Sequence, residues 1–209
     1  RKYKQQPIEA KESYRWIDCG LKSKSRLSSV KSITIVADRE GDIYDEFVSV
    51  PDQRTNILIR ACQNRCLAEG DTLYERVENT NVDSIFKLKV RSTKNRKGRD
   101  TVLEIKYTKV KISKPLAHKS ETAHVEMYVV EAKEKKTKVP KGEKPIHWVL
   151  LTTHQVKSTT DALQIINWYS MRWQIELLFY TLKTAALDIE SSELETGKAL
   201  KKLTILALG

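Results

Sequence analysis

Tyr169, Arg172, Glu176 and Lys183 lie in WYSMRWQIELLFYTLK, residues 168 to 183, a segment that is otherwise largely apolar. If the segment is one α-helix, at about 100° per residue, Arg172, Glu176 and Lys183 stand roughly 300°, 340° and 320° around from Tyr169, within one narrow arc. A carboxylate beside a guanidinium, an ammonium and a phenol can serve a divalent cation and phosphate oxygens. A solvated helix face with an Arg172–Glu176 pair at i, i+4 accounts for the same row. Met171, Ile175, Leu178 and Leu182, flanked by Trp168 and Phe179, follow the spacing of a core-facing stripe on the opposite side.

A second acid stands far upstream. Asp38 ends the β-branched run Ile33 to Ala37, which reads as a fully buried strand, and opens the polar turn REGD. In α/β sheets reactive groups gather at the carboxyl ends of strands. A turn-initiating Asp in DREGD is the simpler role for it.

Positioning these residues requires a mixed fold. Residues 8 to 22 have helical composition and lead into a basic loop, KSKSRLSS. The strand before Asp38 is followed by a helix, IYDEFVSV, and by a short apolar strand, ILIRAC, at 57 to 62. From about residue 67 to 147, SIFKLKVRS, TVLEIKYTKVKI and AHVEMYVVEAK alternate apolar and charged residues, the mark of a half-exposed antiparallel sheet. The loops KNRKGRD and KEKKTKVPKGEKP connect its strands. IHWVLLTT returns to a buried strand, and Ser158, Thr159 and Asp161 are candidate N-caps of the long helix. The expected class is α/β, with a core at 1–66, a β-rich insertion at 67–147 and the rest of the core at 148–209.

Thirty-eight Lys and Arg against 27 Asp and Glu give a formal charge of +11 and a pI near 9.5, which points to a polyanionic partner, nucleic acid first. No apolar run reaches spanning length, and neither a secretory signal nor a basic amphipathic membrane helix is evident. Cys19, Cys62 and Cys66 make no paired CxxC, which argues against zinc and suits a reducing cytoplasm. With a polyanion as partner, Asp38 and Glu176 suggest Mg²⁺ held by carboxylates, water and phosphate oxygens. A pair of such ions about 4 Å apart activates water and steadies the leaving oxygen in phosphodiester chemistry. Arg172, Lys183 and the Tyr169 hydroxyl would then be phosphate contacts.

VADREGDIYDEF at 36 to 47 and the spacing Y-x2-R-x3-E-x6-K at 169 to 183 resemble the cut-and-paste transposases of bacterial insertion sequences, in the subgroup named for that Tyr-Arg-Glu-Lys signature. The match spans nearly the whole chain, with the β-rich block and the IHWVLLTT strand in the matching order. The resemblance implies a ribonuclease-H-like catalytic core with an Asp, Asp, Glu triad holding two Mg²⁺ or Mn²⁺ ions, Asp38 matching the second Asp and Glu176 the Glu. It implies that Tyr169, Arg172 and Lys183 hold DNA near the scissile phosphate, that a flipped base stacks on Trp148, and that Arg60 contacts DNA. Its partners are double-stranded DNA, at transposon ends and at the target, and a second copy of the intact protein, and its setting is the cytoplasmic nucleoid.

Two departures accompany the resemblance. Nothing before Asp38 fits the first Asp, since Asp18 sits in a helix-like WIDCG context without a preceding apolar strand. With Arg1 at its start and KALKKLTILAL near its end, the chain is expected to be a piece of something longer, lacking the first strands of the core, and inactive alone. Tyr180 stands where some relatives carry a lysine.

Two rival readings remain. A tyrosine recombinase would use Tyr169 as nucleophile and Arg172 as phosphate clamp, forming a covalent DNA adduct without Mg²⁺, but no supporting His and Arg pattern is present. A basic DNA-binding module, or a decayed transposase relic, would use Lys87, Lys89 and Arg91 as a phosphate strip on one strand face.

Overall fold

The computed structural model describes residues 7–90, 98–116, 118, 122–135, 139–180, 196–198 and 202. The chain divides into two compact units, Arg1–Tyr169 and Ser170–Gly209.

The first unit is built on a six-stranded sheet in the order β1-β2-β6-β5-β4-β3. Its strands are β1 (Ile33–Ala37), β2 (Thr55–Arg60), β3 (Ser84–Val90), β4 (Arg99–Ser113), β5 (His124–Glu134) and β6 (His147–Thr152). β1 and β2 are parallel, with Ala37 opposite Ile59, and every other pairing is antiparallel. The meander β3-β4-β5, from the alternating block, joins the sheet through β6, which pairs with both β5 and β2.

Side-chain alternation along the strands sorts the core to two faces. Ile57, Ile59, Val110, Ile112, Met127, Val129 and Leu151 point to one, where they meet Ile17 of α1 (Tyr14–Arg26), Phe47 of α2 (Tyr44–Ser49) and Leu73 and Val77 of α3 (Leu73–Asn79). Leu58, Leu103, Ile105, Val130, Ala132 and Leu150 point to the other, under Ala162, Ile165, Ile166 and Tyr169 of α4 (Thr159–Met171).

The structure differs from the sequence reading at several elements. β1 lies at the sheet edge, and only its ends, Ile33 and Ala37, are buried, so the fully buried strand expected there is half-covered. α1 runs on through KSKSR to Arg26 where a loop was expected. Arg54 explains this, because its guanidinium binds the carbonyl of Lys24 in the last turn and those of Leu27, Ser28 and Val30 just beyond it at 2.6 to 3.2 Å, tying down the helix end and the segment that leaves it. α3 was unforeseen within the β-rich block; Thr72 and Glu75 close a capping box at its start.

The long helix is interrupted. α4 ends at Met171, Arg172 is a turn residue, and α5 (Trp173–Tyr180) follows. The single straight arc expected for Tyr169, Arg172 and Glu176 is therefore broken. Core contacts fall on Ala162, Ile165, Ile166 and Tyr169, at i, i+3, i+4 and i+7, which places Tyr169 on the buried stripe instead of opposite it. Met171, Ile175 and Leu178, expected in that stripe, are exposed. Leu182 lies outside the described residues.

Candidate active site

Asp38 follows β1 directly and starts a 3-10 turn over Arg39–Gly41, its Oδ1 accepting the Arg39 N–H at 2.8 Å. The turn is tight against its own strand: a Cβ on Gly41 would lie 2.6 Å from Ala37 Cβ and 3.3 Å from Glu46 Oε2. Only glycine fits there without displacing backbone.

From the far end of the first unit, the buried Tyr169 donates its hydroxyl to the same Asp38 Oδ1 at 3.1 Å. α4 delivers it because its apolar face seats the ring in the core and leaves the polar tip to reach the end of β1. Trp148, half-buried on β6, packs edge-on against the Tyr169 ring at 5.4 Å between centroids and 67° between planes. Three of the expected site residues, Asp38, Tyr169 and Trp148, thus form one contiguous group.

Arg60 ends β2, donates to the His147 carbonyl at 3.1 Å, and lines a cleft with Arg39, Ala61, Tyr74, His147 and Val149. This cleft adjoins the Asp38 turn through Arg39 and carries two guanidiniums, a suitable lining for phosphate. In the second unit, Glu176 accepts from Arg172 Nη2 at 3.1 Å, an i, i+4 pair with the acid half-exposed. The Arg172 guanidinium also stands over the Trp173 ring at 5.8 Å. Lys183 and Arg91 lie outside the described residues, whereas Lys87 and Lys89 are exposed on β3. Asp18 pairs with Lys22 on the exposed side of α1.

The donor types suit a hard divalent cation, since carboxylate oxygens are the ligands Mg²⁺ and Mn²⁺ prefer. Among the described residues no three His, Cys, Asp or Glu side chains cluster as a ready-made cage. The Asp38 carboxylate suits an ion that takes few ligands from the protein and its remaining oxygens from water and phosphate.

Sequence reading passed over Asp42, Glu46 and Arg65. Asp42 is the second aspartate of DREGD, and it is buried in an ion pair with Arg65 at 2.6 Å. The Glu46 carboxyl is fully enclosed and has no hydrogen-bond partner among the described residues. Burial, and then the neighbouring charge of Asp42, push it up to about 7. The available signal was the spacing itself, as Asp38, Asp42 and Glu46 recur every fourth residue, a repeat that charge on a solvated helix would also produce.

The three cysteines are unpaired by disulfides, and no described helix is long and apolar enough to cross a membrane. A family model described as a transposase DDE domain matches residues 25–208, which include Asp38, Arg60, Trp148, Tyr169, Arg172, Glu176 and Lys183.

Proposed function

The chain belongs to the transposase DDE domain family, and from that premise we propose that it is the catalytic portion of an insertion-sequence transposase of the Tyr-Arg-Glu-Lys subgroup, cutting and rejoining DNA at a ribonuclease-H-like core. The observation that carries the proposal is the hydrogen bond from Tyr169 to Asp38 across 131 positions of sequence, with Trp148 against the phenol. Two residues singled out for separate motifs share one oxygen at the carboxyl end of a parallel strand.

In this reading Asp38 and Glu176 hold Mg²⁺ or Mn²⁺. The ions, when bound, supply Lewis acidity to the phosphate and lower the pKa of water. Tyr169 fixes the Asp38 carboxylate and does not attack phosphorus, because an in-line displacement needs no covalent enzyme intermediate. Arg172 and Lys183 contact the phosphates beside the cut, and Arg60 anchors the strand in its cleft with Arg39. Trp148 offers its exposed portion to an unstacked base. Cleavage of one strand leaves a 3′-hydroxyl, which attacks the opposite strand to close a hairpin. Reopening of the hairpin precedes joining to target DNA, and the intact protein acts as a homodimer on paired ends.

The outer side of β1 is an unpaired sheet edge among the described residues, a fitting place for a further strand carrying the first Asp of the triad. Asp18, on a helix and paired with Lys22, does not supply it. The 209-residue chain alone is therefore proposed to be inactive. The test is Mg²⁺-dependent nicking of a transposon-end duplex by the whole transposase polypeptide. Asp38→Ala and Glu176→Ala are each expected to lower the rate by about 1,000-fold or more while DNA binding persists. Undiminished nicking in both variants would refute the metal-ligand assignment, and a trapped covalent adduct at Tyr169 would establish the recombinase alternative.

A further inference from the structure

Four residues beyond Asp38, the Asp42 side chain gathers donors from a segment about twenty positions downstream. Its Oδ2 accepts the backbone N–H of Cys62 at 2.8 Å and of Gln63 at 2.9 Å, and its Oδ1 accepts Arg65 Nε at 2.7 Å. Arg65 Nη2 donates to the Asp42 carbonyl at 2.5 Å, and Gln63 Nε2 reaches the same carbonyl at 3.2 Å. The Arg65 guanidinium is capped by the Phe47 ring at 4.8 Å. The Asp42 side chain is 0% exposed and that of Arg65 7%.

A pair so enclosed contributes little net stability, since desolvation of both charges offsets their attraction. Its effect is geometric: the guanidinium fork spans Asp42 Oδ1 and the Asp42 carbonyl while the Cys62 and Gln63 N–H groups hold Oδ2, so that side chain and backbone of Asp42 are fixed together. The two segments it joins leave neighbouring parallel strands, one after Ala37 and the other after Arg60. On the first sits Asp38, and on the second strand's last position sits Arg60. Gly41, between Asp38 and Asp42, lets the turn lie close against Ala37, where a Cβ would stand 2.6 Å from Ala37 Cβ.

We propose that Asp42 and Arg65 are positioning residues for Asp38: their enclosed ion pair locks the Asp38 turn to the segment after Arg60 and thereby sets the direction of the Asp38 carboxylate. The inference rests on the reading of Asp38 as a catalytic carboxylate. Neither residue of the pair contacts DNA or metal in this scheme. Their influence on the site passes through the 3-10 turn, whose Gly41 N–H donates to the Asp38 carbonyl at 2.9 Å.

The test uses the isotopically labelled 209-residue chain, with amide hydrogen exchange and Mn²⁺-induced broadening read by NMR on the same samples. In Asp42→Asn, exchange at Cys62 and Gln63 is expected to accelerate, and exchange at Arg39 and Gly41 to accelerate with it by about tenfold, while Val129 and Val130 in the sheet stay protected. The Mn²⁺ concentration that half-broadens the Arg39 amide is expected to rise about threefold or more. Arg65→Lys keeps the charge and loses the fork; it is expected to show the same pattern at smaller amplitude, and it decides the matter if Asp42→Asn does not fold. Unchanged exchange at Arg39 and Gly41 with an unchanged Mn²⁺ midpoint, alongside a lowered melting temperature, would overturn the proposal and leave the pair a purely structural one. Asp38→Asn separates the underlying reading: persistent broadening of Arg39 in that variant overturns the metal role of Asp38, whereas the exchange pattern judges the Asp42–Arg65 link independently.

Discussion

Tyr169 meets Asp38 with the single polar atom of a side chain whose ring is packed in the core, so its two contributions can be separated. Tyr169→Phe keeps the ring, including its contact with Trp148, and removes the hydroxyl that donates to Asp38 Oδ1. The fold is expected to lose about 1 kcal/mol, and DNA nicking by the whole transposase to fall about tenfold in kcat with KM little changed. A loss confined to KM would mean that Tyr169 serves DNA binding and not the orientation of Asp38. Glu46 yields a prediction of another kind. Its carboxyl is raised from 4.5 to about 7 by burial and by Asp42, so the folded chain holds this proton more tightly than the unfolded one. The resulting stabilisation is full below the unfolded value and is lost as pH rises towards 7 and past it. Glu46→Gln remains uncharged throughout, and urea unfolding from mildly acid to mildly alkaline pH is expected to show a flatter profile, with a gain on the order of 3 kcal/mol over the natural chain above pH 7. Parallel profiles for the two proteins would contradict the burial-driven shift.

At the level of elements, the fold depends on side chains that reach from one segment to the end of another. Arg54 binds one carbonyl in the last turn of α1 and three just beyond it, so Arg54→Ala is expected to cost about 1 to 3 kcal/mol by urea unfolding, with exchange accelerating at the last turn of α1 and not in β5. Such long-range caps explain why the sequence misled at KSKSR: local composition argued for a loop, and the partner that rescues the helix lies some thirty positions away. The strands were more legible. β1, β3, β4, β5 and β6 followed the apolar runs and period-two alternation because each strand's pattern is set by the two sheet faces it serves. β2 began two residues earlier than ILIRAC suggested. The helix after β6 was read at its start and misjudged beyond Tyr169, where apolar residues at helical spacing continue without the burial they promised.

Across the whole molecule, composition and motif spoke to different questions. The charge of +11 pointed to a polyanion, and the paired motifs around Asp38 and Tyr169 to the transposase DDE domain, which the family match over residues 25–208 bears out. The group of Asp38, Tyr169 and Trp148 was named from sequence without its geometry, because spacing along a chain carries no distance between distant segments. Asp42 and Arg65 escaped notice because a charge's burial depends on what packs over it, and Phe47 and the loop after β2 do that here. The proposed chemistry requires the carboxylates of both Asp38 and Glu176. Mg²⁺-dependent nicking of a transposon-end duplex by the whole transposase polypeptide, measured for Asp38→Asn and for Glu176→Gln, tests that requirement most directly. The expected result is a loss of about 1,000-fold or more in each variant with DNA binding retained. Nicking at the natural rate in either variant would contradict the account.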